Sequence, residues 1–248
     1  MRSVRVQWIM RCKLCESESK LCNSHIIPEF IYKDLYDFKH TFSVFSTLEK
    51  PTKKLEQKGI REYLFCGDCE TQLSKYEDYA KRVIMGGVEI TVTKDPGVIK
   101  IEGIDYKKFK LFLMSIIYRA GIASHDMFSR VNLADHEHTL KKMIKNESPG
   151  KSSDYACLMF GLSGEKELTG KIIDQPTRLR LDGMICYRFI FASLVWVFFV
   201  SSHRPNKMIL EHVLNENGRI IIWIKPFMDL EHIKKFAIDL KNKGQLTV

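Results

Sequence analysis

Apolar positions follow two different periods along this 248-residue chain. In the first 150 residues helical spacing dominates. Leu73, Tyr76, Ala80 and Val83/Ile84 recur every three or four positions and predict a helix that opens at the second cysteine pair and ends at Gly86-Gly87. Residues 107–122 read as a strongly apolar helix and 135–145 as another. Pro28, whose fixed φ suits a first helical turn, opens a helix over 29–36. Between these, 4–10 is strand-like, 40–62 reads as short strands with a loop, and 89–102 reads as a hairpin turning at Asp95-Pro96-Gly97. After Ser148-Pro149-Gly150 the period shortens, and strands are expected over 155–162, 185–191, 194–201, 208–214 and 219–224. An amphipathic helix over 230–241 would cap them. Short connections make this an α+β fold whose C-terminal sheet is mostly antiparallel. Two units are expected, residues 1–104 and residues 105–248.

Composition narrows the class. With 45% hydrophobic and 28% charged residues, the chain can bury one generous core, or a core plus a small metal-stapled unit. A formal charge of +9 suits a polyanionic partner such as nucleic acid, and equally serves solubility. Residues 184–200 are the one membrane candidate. They contain Arg188 and fall short of the ~20 residues of a spanning helix, so two buried strands are expected there and no membrane partner. No N-terminal signal is visible, and the expected location is cytoplasmic. In that compartment seven cysteines are ligands or core thiols sooner than disulfides.

Four of the seven form two CxxC pairs, Cys12/Cys15 and Cys66/Cys69. Each pair makes a tight turn whose thiolates point to one side, the ligand set of structural Zn²⁺. The second pair starts the predicted helix, where the dipole and free amides favour thiolate. A knuckle on one side and a helix start on the other describes a treble clef. Cys22 is a nearby thiol able to replace a ligand, while Cys157 and Cys186 lie in strand patterns and read as core residues.

The order CxxC, then Ser24-His25-Ile26-Ile27-Pro28, then CxxC opening a helix, resembles the zinc-containing HNH (His-Me finger) endonucleases, with their ββα-metal module, over residues 12 to about 80. The resemblance implies a metal-dependent nuclease acting on phosphodiesters. It makes His25 the general base, a role suited to imidazole with its near-neutral pKa. Glu70, directly after Cys69, stands where the family has its helical metal ligand and would hold Mg²⁺ or Mn²⁺, with Glu77 two turns on as a further ligand. Ser24 departs from the family's Asp, and its middle Asn has no counterpart; Arg61 and Glu62 occupy that region, Arg61 being a candidate phosphate contact. The wording also resembles bacterial proteins described only as HNH-like, some HNH-like proteins of this size acting in antiviral defence. The residues themselves leave a second reading open. His25 is then a zinc-site neighbour or core histidine, Glu70 favours the helix N-terminus electrostatically, and the chain is a non-catalytic zinc-binding adaptor for nucleic acid or a protein partner, a homo-oligomer included.

Other polar clusters carry less. Asp135, His136, Glu137 and His138 are consecutive on a predicted helix and diverge by about 100° each, so they do not face one ion. Ser124-His125-Asp126 lacks the spatial logic of a triad, and residues 148–153 lack the spacing of a nucleotide-binding loop. Arg178, Arg180, Arg188, His203 and Arg204 read either as a basic face or as ordinary surface.

Overall fold

A computed structural model describes residues 9–32, 41–46, 52–57, 59–164 and 173–226. The elements in chain order are β1 (Met10–Arg11), β2 (Glu18–Ser19), β3 (Leu21–His25), α1 (Glu29–Tyr32), β4 (Thr41–Ser46), β5 (Thr52–Gln57), β6 (Arg61–Cys66), α2 (Gly67–Met85), β7 (Thr91–Asp95), β8 (Val98–Glu102), α3 (Tyr106–Ile122), a 3₁₀ turn (Asp126–Phe128), α4 (His136–Lys145), β9 (Cys157–Ser163), β10 (Ile173–Leu181), β11 (Met184–Phe191), β12 (Leu194–Phe199), α5 (Lys207–Leu210) and β13 (Ile220–Pro226). The expected strand at 4–10 is described only from residue 9 onward. Of the expected helix at 29–36 only Glu29–Tyr32 is described, as α1, and that at 230–241 lies outside the described residues.

The architecture is α+β. A mixed sheet runs in the order β5-β4-β10-β11-β12-β9-β13-β8-β7. Seven strands, from β10 to β7, form its body, and the β4–β5 hairpin joins β10 through Ile173↔Val44 and Asp174↔Phe45. The β4–β10 and β9–β13 pairs are parallel and the other neighbours antiparallel. The sheet therefore takes strands from both sides of position 104.

Period-two alternation explains why both faces of the sheet centre are apolar. Met159, Tyr187, Phe189, Trp196 and Phe198 join the main core, while Leu158, Cys186, Ile190, Val195 and Val197 face the other way. Residues 184–200 form β11 and β12, joined through Ala192 and Ser193 at φ 53° and 56°, the backbone of a tight hairpin turn. Ile209, Leu210 and Val213 close the second face. The strand expected at 208–214 is instead α5 and a turn. Asn206 accepts the Ile209 amide as an N-cap (3.0 Å), and the apolar residues there are consecutive, not alternating. β10 escaped the pattern because it carries Pro176 and two exposed arginines; the register shift between Asp174 and Thr177 accommodates the missing proline N–H.

α3 is the central rod. Every residue from Phe109 to Ala120 is buried, as expected of a helix apolar on all sides, and it packs on α2 and α4. Asp105 caps it by accepting the Lys108 amide (3.0 Å), and the Tyr79 hydroxyl of α2 accepts the Asp105 amide (2.6 Å). Two cations lie inside this rod, Lys110 and Arg119, each 1% exposed. Lys110 Nζ donates to the carbonyls of Tyr155 (3.1 Å) and Ser152 (3.5 Å).

Burial pushes the Lys110 ammonium down to about 8, only partly opposed by Cys157, Asp154 and Glu216. An unfolded lysine titrates near 10.5, so between about 8 and 10.5 the unfolded chain holds the extra proton. Stability should therefore rise with pH across that window, by up to roughly 3 kcal/mol. Denaturant titrations at pH 7.5, 9 and 10.5 should show this rise for the native chain relative to Lys110→Met; parallel curves would refute it.

Candidate metal centre and the residues around it

Two backbone devices bring the cysteines together. The Cys12–Cys15 segment is a tight knuckle between β1 and β2. The Cys12 amide bonds Ser17 O (2.9 Å), Glu16 N returns to Cys12 O (3.0 Å), and Glu16 takes a left-handed φ of 68°. Lys13 N to Leu64 O (2.9 Å) fastens this knuckle to β6. Cys66 ends β6 and is the N-cap residue of α2, but its side chain makes no cap hydrogen bond. Its sulfur instead lies 3.6 Å from Cys15 Sγ, and its amide donates to Cys12 Sγ (3.3 Å). Cys69 follows in the first turn of α2.

The four sulfurs lie within 4.8 Å of one another, the one such group of His, Cys, Asp or Glu among the described residues. A tetrahedral ion with Zn–S bonds near 2.3 Å needs sulfur separations of about 3.8 Å. The donor set fits a metal ion such as zinc. Burial raises the Cys12 thiol, and burial with its thiol neighbours raises Cys69 strongly. For Cys15 burial acts upward but is outweighed by hydrogen bonds from Ser17 and neighbouring thiols, bringing it to about 6. Burial thus disfavours the charged form at Cys12 and Cys69, and a bound cation would be what holds them as thiolates. Cys22 is half-buried opposite Phe65 and stands outside the group, while Cys157 and Cys186 are buried in the sheet.

The polar residues beside the cluster are each engaged. β3 pairs with β6 in antiparallel register, Ser24↔Glu62 and His25↔Arg61. Buried Ser24 donates its hydroxyl to the Glu70 carboxylate, so the end of β3 meets the first turn of α2. His25 is half-buried with Nε2 inside; its ring centroid lies 6.3 Å from that of Tyr32. Gly59, at φ +70°, leaves room for both rings, since a Cβ there would come within 3.1 Å of His25 Cδ2 and 2.9 Å of Tyr32. Arg61 lies 3.6 Å from Glu29. Glu77 does not face solvent as a free carboxylate. It is ion-paired with Arg119, whose guanidinium also donates to the His25 carbonyl (3.2 Å). Glu62 accepts the amides of Ser124 (2.9 Å) and His125 (2.7 Å), tying β6 to the turn after α3.

The sequence pattern did not single out Arg119, Tyr118 or Glu62. An arginine inside the apolar run 107–122 was the one available signal, because a buried guanidinium must find a partner. The remaining clusters resolve into structure. His125 Nδ1 accepts the Met127 amide and caps the 3₁₀ turn, His136 Nδ1 meets the Tyr155 hydroxyl (3.1 Å), and Ser152 N donates to Glu216 (2.6 Å). Arg188 lies 3.6 Å from Asp174, while Arg178 and Arg180 are exposed on β10. Among the described residues no helix is long and apolar enough to cross a membrane.

No family model, curated protein or solved structure matches this chain.

Two predictions follow from the geometry. Elemental analysis should give one zinc per chain, lost in Cys66→Ser/Cys69→Ser with a melting temperature lower by roughly 10 °C or more. Metal retention in that variant would refute the assignment. Glu77→Ala should destabilise the protein by about 2–4 kcal/mol by stranding the Arg119 charge, against about 0.5 kcal/mol for a merely solvated glutamate; chemical denaturation measures the difference.

Proposed function

We propose that the knuckle, the β3–β6 pair and α2 form a treble-clef, ββα-metal-like unit, and that the chain is an HNH-like metal-dependent nuclease hydrolysing nucleic-acid phosphodiesters. The contact between Ser24 and Glu70 carries this reading. It sets the residue before His25 against the residue after Cys69, the two positions between which such a unit acts on a phosphate. Four sulfurs fix the strand end and the helix start; the chemistry lies beside them.

In this reading His25 takes the proton of the attacking water. Imidazole suits that role because its unperturbed pKa lies near neutrality. Glu70 and Ser24 offer hard oxygen donors, which fit Mg²⁺ or Mn²⁺ better than a soft metal. One carboxylate is a minimal set, and substrate phosphate and water would complete the coordination. When bound, the divalent ion supplies charge stabilisation at the transferring phosphoryl group and the departing oxygen. Glu77 is outside that donor set, since Arg119 holds its carboxylate. Arg61, opposite His25 in the strand register and 3.6 Å from Glu29, would be the phosphate contact at that edge. The net charge of +9 favours the approach of a polyanion.

A second reading, the non-catalytic zinc-binding adaptor for nucleic acid or a protein partner, is favoured by one observation. The carboxylates nearest the cluster already have partners: Glu70 has Ser24, Glu77 has Arg119, and Glu62 has backbone amides.

The two readings separate in one experiment. Zinc-loaded protein incubated with plasmid DNA or RNA and Mg²⁺ or Mn²⁺ should cleave, and His25→Ala should lower the rate at least about a hundredfold. Cleavage indifferent to His25→Ala removes His25 as the base. Salt-dependent binding without cleavage under any condition selects the adaptor.

A further inference from the structure

The polar network around the cluster does not end with the elements that carry the cysteines. α3 lies outside the stretch from Cys12 to Met85, yet two consecutive residues of it reach into that stretch. The Tyr118 hydroxyl donates to Lys13 O inside the knuckle (2.6 Å), and its ring stacks on Phe65 with centroids 6.4 Å apart. The Arg119 guanidinium binds the His25 carbonyl at the end of β3 and the Glu77 carboxylate on α2, and lies 5.9 Å from the Phe65 ring centroid. One guanidinium therefore spans the strand end and the helix whose mutual placement the proposed chemistry needs.

As a device for stability this arginine is a poor choice. It is 1% exposed, and its Nε and Nη2 have no hydrogen-bond partner among the described residues. Each unmet buried donor is destabilising, whereas a well-packed apolar pair in place of a buried ion pair is often neutral or stabilising. What an apolar residue does not supply is the donor to the His25 carbonyl. Bonding the backbone of the base, and not its ring, fixes where the imidazole starts while leaving its ring nitrogens out of the bond.

We infer that Arg119 is a positioning residue for His25, so that α3 is the third wall of the candidate site. The inference rests on the nuclease reading for its kinetic consequence and on the geometry alone for its structural one. Arg119 holds the end of β3 at a set distance from α2 through the pair of bonds to His25 O and Glu77. Loss of this bridge, made to both partners by Nη1, lets the strand end drift, and a displacement of about 1 Å at a reacting group lowers turnover by around a hundredfold.

The test uses the full zinc-loaded chain with Arg119→Lys and with the double variant Arg119→Met/Glu77→Met, which removes the donor without stranding a charge. Two readouts are taken: kcat and KM on nucleic acid, and the His25 imidazole signals in an NMR spectrum, assigned by their loss in His25→Gln. The expected result is a kcat lower by about tenfold to a hundredfold with KM within twofold of the native value. The His25 signals should move or split while those of the other histidines stay in place. Unchanged His25 signals in a folded, zinc-bound variant would overturn the inference whatever the turnover. Loss of zinc and of cooperative unfolding in both variants would make Arg119 purely structural and overturn it too. If the native chain does not cleave, the nuclease reading falls by itself, and the ring signals still decide whether Arg119 holds His25.

Discussion

Convergence of four cysteine sulfurs from two distant parts of the chain is the constraint on which the rest of this structure depends. Cys15 and Cys66 are 51 positions apart, yet their sulfurs lie 3.6 Å from each other. Holding so long a loop closed works against chain entropy, and an unneutralised sulfur cluster would oppose closure further. A divalent ion held by the four sulfurs would reverse both effects at one point. With the sulfurs together, the knuckle, the start of α2 and the β3–β6 pair have their positions, and with them Ser24, His25 and Glu70.

The second organising element is α3. An apolar helix buried all round contributes packing in every direction but ordinarily no polar information. Here Lys110 and Arg119 break that rule at opposite ends of the rod. Lys110 takes up carbonyls of the loop before β9, and Arg119 takes up a carbonyl and a carboxylate of the cysteine region. The rod thus ties the sheet and the metal centre to one axis.

Much of this was legible in the sequence, for identifiable reasons. CxxC spacing encodes a metal knuckle locally, so the cluster needed no knowledge of tertiary structure. The periods of α2, α3 and the β11–β12 hairpin are strong because burial is one-sided in the first and complete in the others. What was not legible involves partners distant in the chain. Nothing in the sequence around Glu62 signals the amides at 124–125 that it accepts, and Glu77, read by resemblance as a metal ligand, is ion-paired with an arginine 42 positions away. β10 hid behind Pro176 and its exposed arginines, and the apolar run at 208–214 carried no signal separating a strand from a capped turn of helix.

The strand order has a further meaning for how the chain can be divided. The hairpin β4–β5 sits at one margin of the sheet and β7–β8 at the other, and both precede residue 105, while the strands between them all follow residue 150. The earlier part of the chain brackets the later part. A fragment cut near 104 would carry two detached hairpins with nothing between them, and isolated two-stranded hairpins are marginal in water. The hairpin at one margin also belongs to the long loop that the cysteines close. Closure of the cysteine loop and completion of the sheet are therefore coupled through chain connectivity, and the unit to be kept intact runs from the cysteine knuckle to β13.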